Sequence, residues 1–279
     1  MTDPITNEWT TGTIEMSVGG VPVKMELTVP ATRVKPNRML PIFQQMTNAF
    51  VDVSAKAFEV EGKTISCKAG CGACCSQPVP IAEIEVYHIA EVVEQLPEPR
   101  RTAVKQRFAD AVGHFTELDW FNRMKATAAR AATEPREQVV EAIQNVALEY
   151  FNENISCPFL EEGSCSIHPV RPVACREYLV TSPAENCSNP TAGTVNKIDL
   201  FVKASDTVRT VGRTETFRKM GFIPLIKALA LAEEYPESFV EKKGERWVAD
   251  FFEQLTSSKI PKKGLKPRNR SLKKRRTKK

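Results

Sequence analysis

The stretch Cys67-Lys68-Ala69-Gly70-Cys71-Gly72-Ala73-Cys74-Cys75 sets four cysteines within nine residues, spaced C-x3-C-x2-C-C. The remaining four, Cys157, Cys165, Cys175 and Cys187, form a second block, and the rest of the 279-residue chain has none. Thiolates are soft ligands suited to zinc, Cu(I) or iron–sulfur chemistry. Two confined blocks therefore point to a metal site. Buried free cysteines acting as small apolar residues would account for Cys187 alone, not for four in nine positions. Disulfides need an oxidising compartment. The opening Met1-Thr2-Asp3-Pro4 shows neither the basic nor the apolar stretch of a secretory signal, so the expected location is cytoplasmic.

Within the first block, Cys71-x2-Cys74 is the spacing with which a tight turn presents two sulfurs to one tetrahedral ion. If Cys67 to Cys71 is helical, their i, i+4 relation also puts both sulfurs on one face. Cys75 departs from this pattern, because adjacent side chains rarely project the same way; it either serves a second ion or stays a spare thiol. In the second block Cys165-x2-His168 again has knuckle spacing, with Cys157 and Cys175 on either side. The candidate ligands are Cys67, Cys71, Cys74, Cys75, Cys157, Cys165, Cys175 and His168. His88 and His114 lie on helical patterns away from any cysteine and read as structural.

Outward from the first block the chain is mainly helical. Pro41 to Glu61 carries Ile42, Met46, Ala49, Phe50, Val53, Ala57 and Val60 at 3.6-residue spacing. Ile81 to Leu96 repeats the pattern with Ile84, Tyr87, His88, Val92 and Leu96. Arg100 to Ala132 reads as one or two helices. Thr133 is the expected N-cap of the next, with Pro135 in its first turn. The second block, rich in proline from Pro158 to Pro190, reads as loop. Beyond it, Phe217 to Leu231 and Ser238 to Leu255 are expected helices, the latter with Val240, Trp247, Phe251 and Leu255 on one face.

The N-terminal segment differs. Thr13 to Val18 and Val21 to Val29 flank Gly19-Gly20, a two-residue hairpin turn. The register that follows faces Val18 with Val21, Met16 with Val23 and Ile14 with Met25, on one side of the pleat. Pro22 confines its strand to an edge or a later start. The fold class is mostly α with a small N-terminal β-hairpin and metal-organised cysteine-rich loops. The organisation read from the chain is a hairpin segment over 1–36, a helical cysteine-cluster domain over 37–258 and a disordered basic tail over 259–279.

Composition, at 42% hydrophobic and 26% charged, is that of an ordinary globular chain. No stretch reaches the roughly eighteen apolar residues of a membrane span, and neither a Gly-rich phosphate loop nor the strand–helix alternation of a dinucleotide fold is present. The net charge of +5 is unevenly spread. Residues 259–279 contain twelve of the 39 Lys/Arg and no acid, leaving 27 basic against 34 acidic residues, a net −7, in the remainder. Such a tail is a candidate contact for nucleic-acid phosphates or for an acidic protein, although it lacks the interleaved aromatics that stack on bases.

The two blocks together resemble a known family. Cys67, Cys71, Cys74 and Cys75, then Cys157-Pro158-Phe159-Leu160, Gly163-x-Cys165-x-Ile167-His168 and Arg171-Pro172-x-x-Cys175-Arg176-x-Tyr178, are similar to the YkgJ-type cysteine-cluster proteins, the zinc- or iron-chelating domains with a CxxCxxCC signature. The first spacing here is x3 where the signature has x2. The resemblance runs from about Cys67 to Tyr178 and implies a bound metal, zinc or an iron–sulfur cluster. A more distant likeness in cysteine pattern to flagellin lysine methylase implies methyl transfer as an alternative, beside redox chemistry. Arg171 and Arg176 match family positions, and cations there are suited to hydrogen-bond anionic sulfur or nearby carbonyls. Tyr178 and Phe159 are expected to pack the site. Cys187 falls outside the pattern and is expected to be the most tolerant cysteine. The two blocks are expected to converge on one region.

Overall fold

The computed structural model describes residues 8–191 and 193–257. The tail expected over 259–279 lies outside them. β1 (Trp9–Val18) and β2 (Val21–Pro30) form an antiparallel hairpin, with Val18 opposite Val21, Met16 opposite Val23 and Ile14 opposite Met25. Gly19 and Gly20, at φ +59° and +88°, supply the left-handed pair that such a turn needs. Both strands are edges, so Pro22 removes no interior ladder bond. The inward residues Val18, Met25, Leu27 and Val29 are buried against α1.

β3 (Arg33–Val34) leads through a 3-10 turn into α1 (Leu40–Val60). This helix is buried on more than the expected stripe: Phe43, Gln44, Thr47, Val51 and Ser54 are covered besides Ile42, Met46 and Phe50. Val60, by contrast, is 89% exposed, because the last turn of the helix projects past the core. After the first cysteine block come α2 (Glu83–Glu94), α3 (Arg100–Glu117), α4 (Trp120–Ala129) and α5 (Arg136–Asn152). Asp119, at φ +54°, breaks α3 from α4. Pro135 rather than Thr133 occupies the N-cap of α5, and no side-chain cap forms there.

The second block holds β4 (Leu160–Glu161), β5 (Ser164–Cys165) and α6 (Val173–Glu177). The expected helix over 217–231 is two pieces, and a further short helix, α7 (Ala204–Val208), precedes them. α8 (Glu215–Met220) stops at Gly221, φ +73°, and α9 (Ala228–Glu234) begins only after Pro224 and a 3-10 turn. The last expected helix also starts later. β6 (Lys242–Lys243) pairs with β3, and α10 (Gly244–Ser257) follows. Val240 therefore lies before the helix and is 64% exposed, whereas Trp247 and Phe251 are buried.

Two apolar clusters meet across α2 and α6. One joins the hairpin, α1 and α10, where the Phe43 and Phe251 rings stack at 5.2 Å. The other joins α2, α3 and α9 with Phe159 and Ile167 of the second block. Among the described residues no helix is long and apolar enough to cross a membrane.

Candidate metal centre

The first block is turn, not helix. The Cys71 N–H donates to the Lys68 carbonyl at 3.1 Å, and the Cys75 N–H to the Gly72 carbonyl at 2.9 Å. Gly70, third in the first turn, sits at φ +83°, the conformation that a type II turn requires there. The conditional i, i+4 relation of Cys67 and Cys71 thus does not arise; two consecutive tight turns present the cysteines instead. The entry to the block is pinned by Ser66 N–H to the Val180 carbonyl at 2.9 Å and by the Cys67 thiol donating to the Tyr178 carbonyl at 3.9 Å.

The second block is ordered by short local devices. The Leu160 N–H closes a turn on the Cys157 carbonyl at 2.8 Å. β4 and β5 are joined through Glu162 and Gly163, both left-handed at φ +49° and +75°. Ser166 donates both its N–H and its hydroxyl to the Phe159 carbonyl at 2.9 Å. Cys175 rides on α6, whose N-terminus is capped from a distance: the Val173 N–H donates to Glu85 Oε1 at 2.7 Å. Glu85 Oε2 accepts the Ala82 N–H at 2.7 Å, so one buried carboxylate ties the starts of α2 and α6.

Arg176 is neither a surface ion pair nor a sulfur donor. It is buried, and its guanidinium donates to the carbonyls of Arg171 (3.1 Å) and Pro169 (2.5 Å) and to Asn48 Oδ1 of α1 (3.2 Å). Gln44, also on α1, donates to the carbonyls of Val170 and Arg171 at 3.4 and 3.2 Å. The backbone of 169–171 is thereby locked on three consecutive carbonyls, which fixes where the Arg171 side chain starts.

The blocks meet. The Cys157 N–H donates to the Cys75 carbonyl at 2.6 Å, and Gly72 lies so close to Gly163 and Leu160 that a Cβ there would collide with both. Burial pushes the Cys67, Cys157, Cys165, Cys175 and Cys187 thiols up, Cys157 to about 12 and Cys187 to about 11, and neighbouring thiols add to the rise. Cys74 is raised most directly by its hydrogen bond with Cys75. Arg171 opposes these shifts at Cys67, Cys74, Cys165 and Cys175. Its buried Nε has no hydrogen-bond partner among the described residues, and no carboxylate pairs with it there. A second cation, Lys197, lies 4.6 Å over the Tyr178 ring and near Cys187.

Cys187, outside the expected ligand set, is buried close to it. It is 3% exposed, and Cys74, Cys67 and Cys71 are its electrostatic neighbours, with Tyr178 beside it. His168, by contrast, is exposed in a 3-10 turn, and its charged neighbours are Arg171 and Arg176 rather than a thiol. Phe159 is fully buried, edge-on to Phe108. Tyr178 packs beside the thiols as expected, and burial raises its hydroxyl. Among the described residues no three Cys, His, Asp or Glu side chains are grouped closely enough to hold one metal ion. The donor set nevertheless fits a soft metal: the side chains brought together are thiols, and an unpaired guanidinium accompanies them.

Residues 66–194, which contain all eight cysteines, match the model of the CxxCxxCC family, described as a putative zinc- or iron-chelating domain. That segment is similar to the family's domain, and the match supports metal binding in general terms. No curated protein and no solved structure matches the chain.

Proposed function

We propose that the protein binds zinc or iron through cysteine thiolates drawn from both blocks, and that this centre organises the segment from Cys157 to Cys187. Cys67, Cys71, Cys74, Cys157, Cys165, Cys175 and Cys187 would hold the metal. The observation that carries the reading is Arg171, whose buried Nε has no hydrogen-bond partner and no carboxylate among the described residues, and whose charge acts on the thiols of both blocks. A thiolate centre is net negative, and an adjacent N–H donor offsets that charge. Neutral thiols alone give such a cation no counter-charge. Zinc would supply a structural staple; iron with sulfide would supply one-electron chemistry.

Anaerobic purification followed by metal and acid-labile sulfide analysis tests the reading. Zinc, or iron with or without sulfide, at one or more atoms per chain is the expected result, and Cys165→Ser lowers it. Protein that folds normally with no bound metal, and takes none up under anaerobic conditions, would overturn the proposal.

A further inference from the structure

The base of the hairpin, the 3-10 turn over Pro36–Met39 and one face of α2 line a cavity of about 540 Å³, a size usual for small-molecule sites. None of its lining residues is a cysteine. The α2 wall is a single helical face, His88, Glu91, Val92 and Gln95, at i, i+3, i+4 and i+7. Trp9, 52% exposed, and Pro30, opposite it in the hairpin register, form another wall. Among the described residues four buried side-chain nitrogen or oxygen atoms lack a hydrogen-bond partner, and two of them, Asn37 Oδ1 and His88 Nε2, belong to this one lining. A buried polar atom without a partner is unfavourable. Both are satisfied together by a ligand that carries hydrogen-bonding groups along one edge.

We propose that this cavity binds a purine base or its nucleoside, the ring stacked on Trp9 and its donor–acceptor edge turned to Asn37 and His88. A flat ring uses the exposed indole, since bases of any sequence stack on aromatic side chains. The edge of a purine sets a hydrogen-bond donor beside an acceptor, the pattern that a carboxamide reads, and the lining has two carboxamides, Asn37 and Gln95. Burial pushes the His88 imidazole down against the pull of Glu91, and Arg176 and Arg38 add to the fall. The ring is therefore neutral at neutral pH and offers one donor and one acceptor. Arg38 and Glu91 pair across 3.5 Å with both side chains exposed, a long contact of the kind that holds neither group firmly. Arg38 thus disfavours a simple amine at this lining while leaving a neutral base unopposed. The site is separate from the thiols, and its failure would leave the metal-binding reading untouched.

Full-length protein as isolated is titrated with adenosine, followed by calorimetry and by tryptophan fluorescence, beside putrescine as a simple amine and alanine as a free amino acid. One adenosine per chain is expected, with quenching of the exposed Trp9 and none of the buried Trp120 and Trp247. Trp9→Ala, Asn37→Ala and His88→Ala each weaken binding by about tenfold or more, as loss of a base stack or of a buried hydrogen bond does. Trp9→Phe keeps most of the affinity and loses the quenching. Absence of heat and of quenching at millimolar adenosine would overturn the site, and so would unchanged affinity in the three alanine variants. Binding of putrescine or alanine in place of adenosine would overturn the assignment to a base. Should His88→Ala or Asn37→Ala fail to fold by circular dichroism, Trp9→Ala decides, because that side chain is exposed and its removal costs the fold little.

Discussion

The Cys157 N–H donates to the Cys75 carbonyl at 2.6 Å, joining the two cysteine blocks across the whole of α3, α4 and α5. This bond ties the two loops together, and it depends on how closely their backbones approach. Gly72 sets that approach.

Gly72 has no left-handed φ, so its lack of a side chain is needed for space alone. A Cβ would meet the Gly163 carbonyl and Leu160 Cδ1. Gly72→Ala is expected to destabilise the fold by about 1–3 kcal/mol, as overpacking does, and to reduce metal content because the blocks separate. Gly70→Ala is the contrast: its Cβ meets open space, but φ +83° costs about 1–2 kcal/mol in a left-handed backbone. Urea denaturation with parallel metal analysis separates the two. Full metal content in Gly72→Ala would show that close approach is not required.

Arg176→Lys tests the clamp behind Arg171. Lysine cannot reproduce a planar fork that serves the Pro169 and Arg171 carbonyls and Asn48 together. A loss of about 2–3 kcal/mol is expected from buried, charge-assisted bonds, with weaker metal retention against a competing chelator. A variant as stable as the parent would mean that Gln44 alone suffices to hold the loop.

The hairpin register was legible to the residue because Gly19-Gly20 fixes it locally, although the first strand begins at Trp9, four residues before the expected Thr13. The α1 stripe was legible as a stripe, but Phe43 was not, since its burial depends on α10 arriving from two hundred residues away. Likewise the helical spacing over 217–231 was real while the helix was not, because Gly221 and Pro224 break the backbone that the apolar pattern would favour. The site divides in the same way. Spacings such as Cys71-x2-Cys74 are local and readable, whereas the approach of Cys187 to Cys74, Cys67 and Tyr178 is a tertiary contact that no spacing encodes.

Glu85 gives the fold a pH dependence of a definite sign. Burial lifts its carboxyl from 4.5 to about 7. Between those values the folded protein keeps a proton that the unfolded chain has lost, so stability falls as pH rises through the window; the contribution is fully present below about 4.5. The loss from this group is on the order of 3 kcal/mol, and burial raises Glu83 and Glu177 in the same direction. Glu85→Gln should flatten the stability curve between pH 5 and 7 relative to the parent. Comparing the two proteins at equal metal saturation isolates Glu85 from the opposite trend of thiolate binding, which weakens as protons compete. Parallel curves would place the titration elsewhere.

Removing the metal should loosen one part of the fold and spare another. The segment over 157–167 owes its shape to single turns, a two-residue ladder and one proline, Pro158, devices too small to hold a chain alone. The hairpin, α1 and α10 share a core with buried Phe43, Phe50, Trp247 and Phe251, and none of these touches a cysteine-bearing turn through an aromatic contact. Anaerobic chelation is therefore expected to strip hydrogen-exchange protection from the amides of Leu160 and Ser166 by at least tenfold, while α1 and α10 keep theirs. Metal binding at thiolate sites is coupled to local folding, and regions open independently when separate cores support them. Uniform loss across the chain would mean that the metal supports the entire domain; unchanged protection at 157–167 would mean that the Cys75–Cys157 bond and the packing of Phe159 hold the second block without it.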